Sequence, residues 1–482
     1  MNVSEPVRRN AQLAPDAPAY LRTDGTSISY AELENTIDAL AHRLRDLDLG
    51  PGQAAVCGTD DVYRYLVMTL ALARIGAIAA PVTLPVEFAD VAFEEDGIKV
   101  PDARRVVPLA DLWPPGLPAG ATQPPAALHE NDSAPLAYCP SSGTTSGTPR
   151  FVPITHDCMR QWILIRERTL PVRPGEGHAH FVAPASMLGL SGRLRTLWGR
   201  GVVLEPNLDA RKTASWFATA QIGYMSISPI GLRKVLEVLR PAGVSSAIRT
   251  IEVAGGHLHQ DLCELARQRL PAQLLCDYGS TESGPVASAP AAALARPGAV
   301  GYAREGVDVE IVDAEDRPVE RGREGFVRVR SKATARGYVG SPDAAATVFR
   351  DGWVYPSDLG ILEPDGLLRI LGRVDDVINH GGIKIHPNDL EDALRELADL
   401  REVAVFSATV GAGTQALCAA IVSNVPLDAD AFHARCREHL RGKAPELIIY
   451  LRELPRNAAG KVMRAELERL LIAGLRARRA TQ

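Results

Sequence analysis

Residues 134–150 read APLAYCPSSGTTSGTPR, in which a predicted strand from Ala134 to Cys139 leads directly into a loop of hydroxyl and glycine residues. Six hydroxyl side chains and two glycines fall between Ser141 and Arg150. Glycines let backbone N–H groups approach an anion closely, and hydroxyls donate hydrogen bonds to phosphate oxygens. The spacing is not that of a Walker loop. On composition alone, this segment is either a phosphate-binding loop or a solvated linker.

Upstream of this loop, helix and strand patterns alternate. A capping box at Ser29–Glu32 begins a helix, which Gly50–Gly52 is expected to end. A strand at Ala54–Cys57, a helix at Val62–Arg74 and a strand at Ala77–Val82 are predicted to follow. This alternation predicts an α/β fold.

Downstream, the pattern indicates a large and a small domain. Pro101–Pro135 is rich in proline and alanine and is expected to be a surface connection. Val307–Val312 and Gly325–Val329 alternate with a period near two, which is typical of antiparallel strands. Gly366–Asp376 is the best domain boundary, so residues 1–373 and 374–482 are the predicted domains. The elements predicted in the smaller domain are helices at Pro387–Leu397 and Ala429–Leu440, strands at Val403–Phe406 and Ala416–Val422, and a last helix from Val462.

The bulk composition is that of a folded protein with more than one domain. The chain has 482 residues, 46% hydrophobic and 23% charged, with a formal net charge of −5, which does not suggest a broad basic surface for nucleic acid. Its seven cysteines form no Cys-x-x-Cys pair, which favours free thiols in a reducing compartment. The longest apolar stretch, Val67–Val82, is too short and broken to span a bilayer. No signal-peptide core follows Met1, so the cytoplasm is expected.

Three further segments carry chemistry, although each has a plain structural reading. Asp277–Gly284 offers a ring for stacking, hydroxyls for phosphate and a carboxylate for Mg²⁺, or it is simply a capped turn. Asp358 and Asp375 are either partners for ribose hydroxyls or turn caps. Lys461 follows a glycine-containing loop and is either a mobile cation or an ordinary surface lysine.

The order and spacing of these segments resemble the adenylate-forming superfamily, which includes acyl- and aryl-CoA synthetases, adenylation domains and luciferases. The resemblance covers nearly the whole chain, from the Tyr30–Leu33 helix to Gly460-Lys461. It implies an α/β fold with a large N-terminal domain of layered α/β subdomains and a β-barrel-like region. It also implies a small mobile α+β C-terminal domain that carries the catalytic lysine.

The resemblance assigns roles by matching position. It implies that Lys461, Thr281 and Glu282 are catalytic, with Glu282 also associated with Mg²⁺. It implies a hinge at Asp375. The residues that it implies for nucleotide binding are Ser141, Ser142, Gly143, Thr144, Thr145, Ser146, Gly147, Tyr278, Gly279, Asp358 and Arg373. For the acyl pocket it implies Ser186, Met187, Gly255, Gly256 and His257. For the thiol channel it implies Gly381, Gly382 and Lys384.

Three positions depart from the family pattern. Ser146 is one residue more than the usual loop contains, Arg150 replaces a lysine, and Ser357 stands where glycine is usual. Amino-acid-activating members use an aspartate near the Pro184 segment, but no acidic residue lies between residues 178 and 203. An amino-acid substrate is therefore not favoured. His257 is either a partner for a polar substituent or a structural histidine.

The predicted function is ATP-dependent activation of a small aryl or aliphatic carboxylic acid to an acyl-adenylate, followed by thioester formation with coenzyme A. The first alternative replaces coenzyme A with the phosphopantetheine arm of a separate acyl carrier protein. The second, from another class, is a non-catalytic nucleotide-binding homologue, against which the presence of Lys461, Glu282 and Asp358 argues.

Overall fold

The computed structural model divides the chain into two compact units, each of which contains helices and strands. The structure describes residues 1–100, 103–113, 125–141, 150–206, 216–217, 220–239, 248–270, 272–294, 296–380, 383–410, 414–456 and 461–480. The first unit comprises Met1–Ala293, Gly301–Val309 and Arg328–Pro356, and the second comprises Leu294–Val300, Glu310–Val327 and Ser357–Gln482. The predicted boundary between residues 373 and 374 stays a prediction.

The first unit contains most of the helices and strands. Its helices are α1 Glu5–Leu13, α2 Tyr30–Asp46, α3 Val62–Ile75, α4 Leu109–Leu112, α5 His156–Glu167, α6 Met187–Trp198, α7 Pro229–Val238, α8 Gln260–Arg269 and α9 Pro342–Val348. Its strands are β1 Pro18–Leu21, β2 Ser27–Ser29, β3 Ala54–Gly58, β4 Ile78–Ala80, β5 Val91–Glu94, β6 Val106–Pro108, β7 Pro135–Pro140, β8 Phe151–Thr155, β9 Gly177–Phe181, β10 Val202–Leu204, β11 Ile222–Ile227, β12 Thr250–Ala254, β13 Gln273–Ser280 and β14 Gly284–Pro290. Short strands β18 Phe349–Arg350 and β19 Trp353–Val354 also belong to it, and β15 Ala299–Ala303, β16 Val307–Val312 and β17 Glu324–Ser331 contribute residues to both units.

Two sheets organise the first unit. One has the order β6-β5-β3-β4-β7-β8, parallel except for the β7–β8 pair. In the other, β13, β12, β11, β9, β10 and β1 are successive parallel neighbours. Ile222, Ile251 and Leu232 are fully buried in the core beside this second sheet. Every residue of β11 and β12 is buried, so both faces of these two central strands are covered.

The predicted α/β class is confirmed, and several boundaries match closely. The capping box forms, with Ser29 Oγ accepting from the amide of Glu32 at 3.2 Å and the amide of Ser29 donating to the Glu32 carboxylate at 2.8 Å. The helix that it begins ends at Asp46, earlier than the glycines at 50–52 predicted. Asp48 causes this difference, because it adopts a left-handed conformation with φ of 60°, which aspartate tolerates better than most residues.

The prediction of a plain connection between Pro101 and Pro135 was wrong in part. The described residues of this stretch include β6 and the short helix α4. Leu109 and Leu112 anchor α4 because both side chains are at most 2% exposed. Two buried leucines in a segment dominated by proline and alanine are too weak a periodic signal to reveal a helix of one turn.

The second unit contains a smaller α+β arrangement. Its elements are β20 Asp358–Leu362, β21 Leu367–Arg373, β22 Ile378–His380, β23 Ile383–Ile385, α10 Pro387–Leu397, β24 Leu400–Val410, β25 Thr414–Ser423, α11 Ala429–Leu440, β26 Leu447–Tyr450 and α12 Arg464–Ala480. The α10 and α11 helices match the predicted ranges. Strands β24, β25 and β26 form one sheet, with one core cluster around Leu394 and Phe432 and another around Leu467. No helix among the described residues combines the length and the apolarity that crossing a membrane requires.

Candidate active site

Six of the predicted ligand-binding residues of the first unit lie at one edge of its second sheet. Strands β9, β11, β12 and β13 run in the same direction, so their carboxyl ends lie along a common edge. Ligands of open α/β sheets bind at this edge. The predicted residues that lie at the end of β13 or directly after β9 and β12 are Tyr278, Ser186, Met187, Gly255, Gly256 and His257.

The turn after β13 presents Thr281 and Glu282. Ser280 and Ser283 brace it reciprocally, each backbone amide donating to the other's hydroxyl at 3.0 and 3.1 Å. Gly284 has a φ of 82°, a conformation that favours glycine. A Cβ at Gly279 would lie 2.2 Å from the carbonyl oxygen of Gly284, so only glycine fits there. The segment is therefore a tight turn, which was one of its two predicted structures, and it carries the hydroxyl of Thr281 and the carboxylate of Glu282.

The base of the hydroxyl-rich loop lies against this turn. The amide of Ser141 donates to the carbonyl of Arg150 at 2.7 Å, which closes the two ends of the loop. Thr281 Oγ1 donates to the carbonyl of Pro140 at 3.2 Å. The structure thus brings Ser141 together with Thr281. The predicted phosphate ligands Ser142, Gly143, Thr144, Thr145, Ser146 and Gly147 lie outside the described residues.

Glu282 is a buried carboxylate with a neutral hydrogen-bond donor. Its side chain is 7% exposed, and Tyr338 Oη donates to its Oε1 at 2.9 Å. Its backbone carbonyl accepts from the amide of Ala335 at 2.8 Å. Carboxylate oxygens are the ligands that Mg²⁺ prefers. Glu282 therefore has the chemistry that a magnesium–nucleotide complex requires.

The segment after β9 is held by one buried arginine. Arg193, on α6, donates from Nη1 to the carbonyl of Gly189 at 2.9 Å and from Nη2 to the carbonyls of His180 and Val182 at 3.0 and 3.2 Å. Burial lowers the pKa of Arg193 to about 10. Ser186 caps α6 by accepting from the amide of Gly189 at 3.1 Å. The guanidinium thus fixes the backbone that carries Ser186 and Met187.

The segment after β12 is more open. A Cβ at Gly255 would meet no heavy atom within 4 Å, and its φ of 85° favours glycine. The ring of His257 lies 4.5 Å from that of His259, nearly perpendicular to it. The histidines of β9 have a different environment, because Thr196 Oγ1 lies 3.1 Å from both His178 Nδ1 and His180 Nε2. These contacts give His178 and His180 a structural role.

A buried cluster of charges includes Asp277, the residue directly before Tyr278. Asp277 receives a hydrogen bond of 2.9 Å from Arg304 and another from Arg166. Arg166 also lies 3.0 Å from Glu252, which is fully buried. Burial opposes ionisation of Asp277, but the two guanidinium groups outweigh it and hold its pKa below the usual value. The cluster balances two carboxylates with two guanidinium groups and fixes the end of β13.

In the second unit, Asp358 and Arg373 are directly opposite each other on β20 and β21. Two residues predicted to bind the nucleotide are therefore neighbours across one strand pair. Ser357 has a φ of 62°, so it adopts the left-handed conformation for which the family pattern has glycine. The departure seen in the sequence is therefore a serine in a glycine-type backbone.

The remaining predicted residues of the second unit lie in separate segments of its chain. Lys461 is half-buried and directly precedes Val462, which forms an isolated bridge with Arg456. Lys384 is exposed on β23, whereas Gly381 and Gly382 lie outside the described residues. Asp375 is exposed in a 3-10 turn after β21. The hinge, catalytic and thiol-channel roles stay predictions.

Sequence reasoning missed the residues that act through distant contacts. Tyr338, Arg193 and the Arg166–Arg304 pair contact site segments far away in the chain. Tyr338 is flanked by Gly337 and Gly340, which is a turn signal but gives no hint of Glu282 as its partner. Only the folded contacts identify these residues.

Comparisons with known proteins agree with the motif reading. The family described as AMP-binding enzyme matches residues 7–339. The chain is 31% identical to the long-chain-fatty-acid–CoA ligase of Salmonella typhimurium over 221 residues, which is 45% of this chain and 39% of that protein. It is 27% identical to a feruloyl-CoA synthase of an Amycolatopsis species, over 97% of this chain and 98% of the relative. The fold is similar to that of ATP-bound MatB from Rhodopseudomonas palustris, with a TM-score of 0.85, 23% identity and coverage of 98% and 99%. The chain therefore belongs to the AMP-binding enzyme family, within the adenylate-forming superfamily that its motifs resemble.

Proposed function

We propose that the protein uses ATP to convert a carboxylic acid into an acyl-adenylate, with release of pyrophosphate, and then transfers the acyl group to coenzyme A. The observation that carries this proposal is the convergence of three segments at the carboxyl edge of β9, β12 and β13. The β13 segment supplies the aromatic ring of Tyr278 and the carboxylate of Glu282. The segment after β9 supplies the capped start of α6, and the segment after β12 supplies the open turn at Gly255.

The chemistry of adenylation requires the residue types present. The acid is ionised near neutral pH and needs no general base. Its carboxylate must approach the α-phosphorus of ATP, which is also anionic, so cations must offset the repulsion and the developing charge. In this proposal Glu282 holds Mg²⁺, Tyr278 stacks on the adenine, Asp358 binds the ribose and Lys461 orients both reactants. Mg²⁺ supplies charge neutralisation at the phosphates when bound.

The second step requires a different group near the adenylate. After pyrophosphate leaves, a rearrangement at Asp375 would withdraw Lys461 and present Gly381, Gly382 and Lys384 to the thiol channel. The thiol then attacks the acyl carbonyl and AMP leaves. The phosphopantetheine arm of a separate carrier protein is the alternative acceptor.

The acid is proposed to be aryl or aliphatic and not an amino acid. No acidic residue lies between residues 178 and 203, so this segment offers no partner for a substrate ammonium group. One relative that aligns with nearly the whole chain is a feruloyl-CoA synthase, which supports an aryl acid.

An acid panel tests the proposal. Enzyme, MgATP and each acid are incubated first alone, to follow acid-dependent pyrophosphate exchange, and then with coenzyme A or with phosphopantetheinylated carriers. Thioester with coenzyme A supports the main proposal, and thioester only with a carrier supports the alternative. Nucleotide binding without an acid-dependent signal across a broad panel of aryl and aliphatic acids would favour the non-catalytic homologue.

A matched pair of lysine variants tests the assignment of Lys461. Lys461→Ala should lower acyl-adenylate formation by about 100-fold or more, because it removes a cation that stabilises the developing charge. Thioester formation from supplied acyl-adenylate should remain within about threefold of the wild type, since adenylation is already complete. The control is Lys443→Ala, an exposed lysine of the same unit, which should change neither step. Equal losses in both steps of Lys461→Ala would contradict the assigned role.

A further inference from the structure

Tyr338 contacts two groups on either side of the loop base. Its hydroxyl donates to Glu282 Oε1 at 2.9 Å, and its ring lies 5.5 Å from the guanidinium carbon of Arg150. Arg150 is the residue that directly follows the hydroxyl-rich loop. One phenol therefore joins a carboxylate of the β13 turn to the cation at the end of the loop.

The backbone fixes Tyr338 in this position from both sides. The amide of Ala335 donates to the carbonyl of Glu282, and the amide of Val339 donates to the carbonyl of Phe151, both at 2.8 Å. The ring of Tyr338 also packs edge-on against Phe349, with 5.3 Å between centroids. The phenol is thus held by backbone contacts and by Phe349, and it does not depend on the Glu282 side chain for its place.

The carbonyl of Ala333 anchors the start of the same segment. It accepts hydrogen bonds from Trp162 Nε1 at 3.2 Å and from Cys158 Sγ at 3.1 Å. Gly284 faces it so closely that an added Cβ would lie 3.1 Å from the Cβ of Ala333. Residues 333–339 therefore form a strap between α5, β8 and the turn that carries Glu282, and Tyr338 lies at the end of this strap.

The direction of this hydrogen bond follows from the chemistry of its two groups. A phenol is protonated near neutral pH and donates its O–H, whereas an ionised carboxylate can only accept. A phenol donates to one carboxylate oxygen in a fixed direction, and this orients the second oxygen as well.

We propose that Tyr338 is a positioning residue that orients the Glu282 carboxylate, and with it the Arg150 side chain, for the magnesium–nucleotide complex. The inference rests on the proposed function, since it assumes that this site binds MgATP. It assigns a role to a residue outside the motif segments. It also gives Arg150 a structural partner, because a planar guanidinium stacks on an aromatic face better than the ammonium group of lysine does.

The test is nucleotide binding by Tyr338→Phe, which removes the hydroxyl but keeps the ring against Phe349 and beneath Arg150. Calorimetric titration with ATP over a series of Mg²⁺ concentrations measures binding without turnover. The expected result is a rise of about tenfold in the ATP dissociation constant at limiting Mg²⁺, the lower end of what a hydrogen bond to a charged group contributes. Tyr302→Phe is the control, because Tyr302 is 46% exposed on β15 and should leave the constant unchanged.

A double-variant comparison shows whether the hydroxyl acts through Glu282. If it does, Tyr338→Phe should add less than about twofold to the dissociation constant of a Glu282→Gln variant, because coupled residues are not additive. Unchanged ATP binding by Tyr338→Phe at every Mg²⁺ concentration would overturn the proposal, as would a full tenfold effect in the Glu282→Gln background.

Failure of the proposed function gives a different result. If the wild-type protein binds MgATP but forms no acyl-adenylate with any acid, the adenylation proposal fails while the binding comparison still decides the role of Tyr338. The melting temperature of each variant is measured first. If Tyr338→Phe is unfolded, Arg150→Lys replaces it, and a weakened affinity for MgATP is then the expected result.

Discussion

Replacing Asp277 with asparagine should destabilise the first unit strongly. The substitution keeps the shape of the side chain but removes a buried negative charge that two guanidinium groups contact. Arg166 and Arg304 are 2% and 3% exposed, so water cannot replace the lost partner. Removing one member of a buried ion pair costs about 3–5 kcal/mol, because it leaves an uncompensated buried charge. We expect a loss of about that size in the free energy of unfolding of Asp277→Asn.

Tryptophan fluorescence measures this loss in the relevant unit. The five tryptophans of the chain are Trp113, Trp162, Trp198, Trp216 and Trp353, and all of them fall in the first unit. With a urea slope of about 3 kcal/mol per M, the midpoint should fall by about 1 M or more. The control is Asp308→Asn, because Asp308 is 62% exposed in its 3.0 Å pair with Arg330. An exposed ion pair contributes at most about 1 kcal/mol to stability, so the urea midpoint of Asp308→Asn should stay close to that of the wild type.

The pH dependence gives a second check with a fixed sign. The pKa of Asp277 is lower in the folded protein than the value of 3.8 expected in the unfolded chain. Its contribution to stability is therefore complete above about pH 5 and is lost as the pH falls through the folded pKa. The difference in the free energy of unfolding between the wild type and Asp277→Asn should become smaller as the pH is lowered. A midpoint shift below about 0.3 M at neutral pH, or a gap that widens in acid, would refute this reasoning.

Two further variants test residues that position the site. Arg193→Met should raise the KM for the acid by about tenfold, because three carbonyls around the Ser186 segment lose their donor. The KM for ATP should stay within about twofold of the wild-type value, and Arg193→Lys should have an intermediate KM for the acid. Equal rises in both KM values would contradict the role of Arg193. Ser357→Gly should stabilise the second unit by up to about 1 kcal/mol, since relief of about 1–2 kcal/mol of left-handed strain exceeds the added chain entropy. Thermal unfolding followed by circular dichroism measures it, and a lower melting temperature would show that Ser357 is not strained.

The sequence predicted best what short local patterns encode. The helices Pro387–Leu397 and Ala429–Leu440 have clear starts and an apolar side, and both were predicted with the observed limits. The turn that carries Thr281 and Glu282 was found because ring, hydroxyls, carboxylate and glycine are adjacent in the chain. The early end of α2 was not predicted, because an aspartate in a left-handed conformation leaves no clear mark in the sequence.

The sequence could not predict the residues whose contacts join distant segments of the chain. Tyr338 and Glu282 are 56 residues apart, and no spacing rule connects them. The Arg166–Asp277 pair is 111 residues apart, and buried arginines look in sequence like ordinary surface charges. Arg193 acts on carbonyl groups, which every residue possesses. These residues contact segments of the candidate site, and only a structure identifies them.

The segments proposed to contact the acid follow different strands, and this separation has a consequence for engineering. The Ser186 segment follows β9 and the Gly255 segment follows β12, while the Glu282 turn is part of the β13 hairpin. Loops at the ends of strands tolerate exchange better than the strands themselves. Acid selectivity should therefore be open to grafting one such loop at a time from a relative, while the recipient keeps its own nucleotide-handling residues.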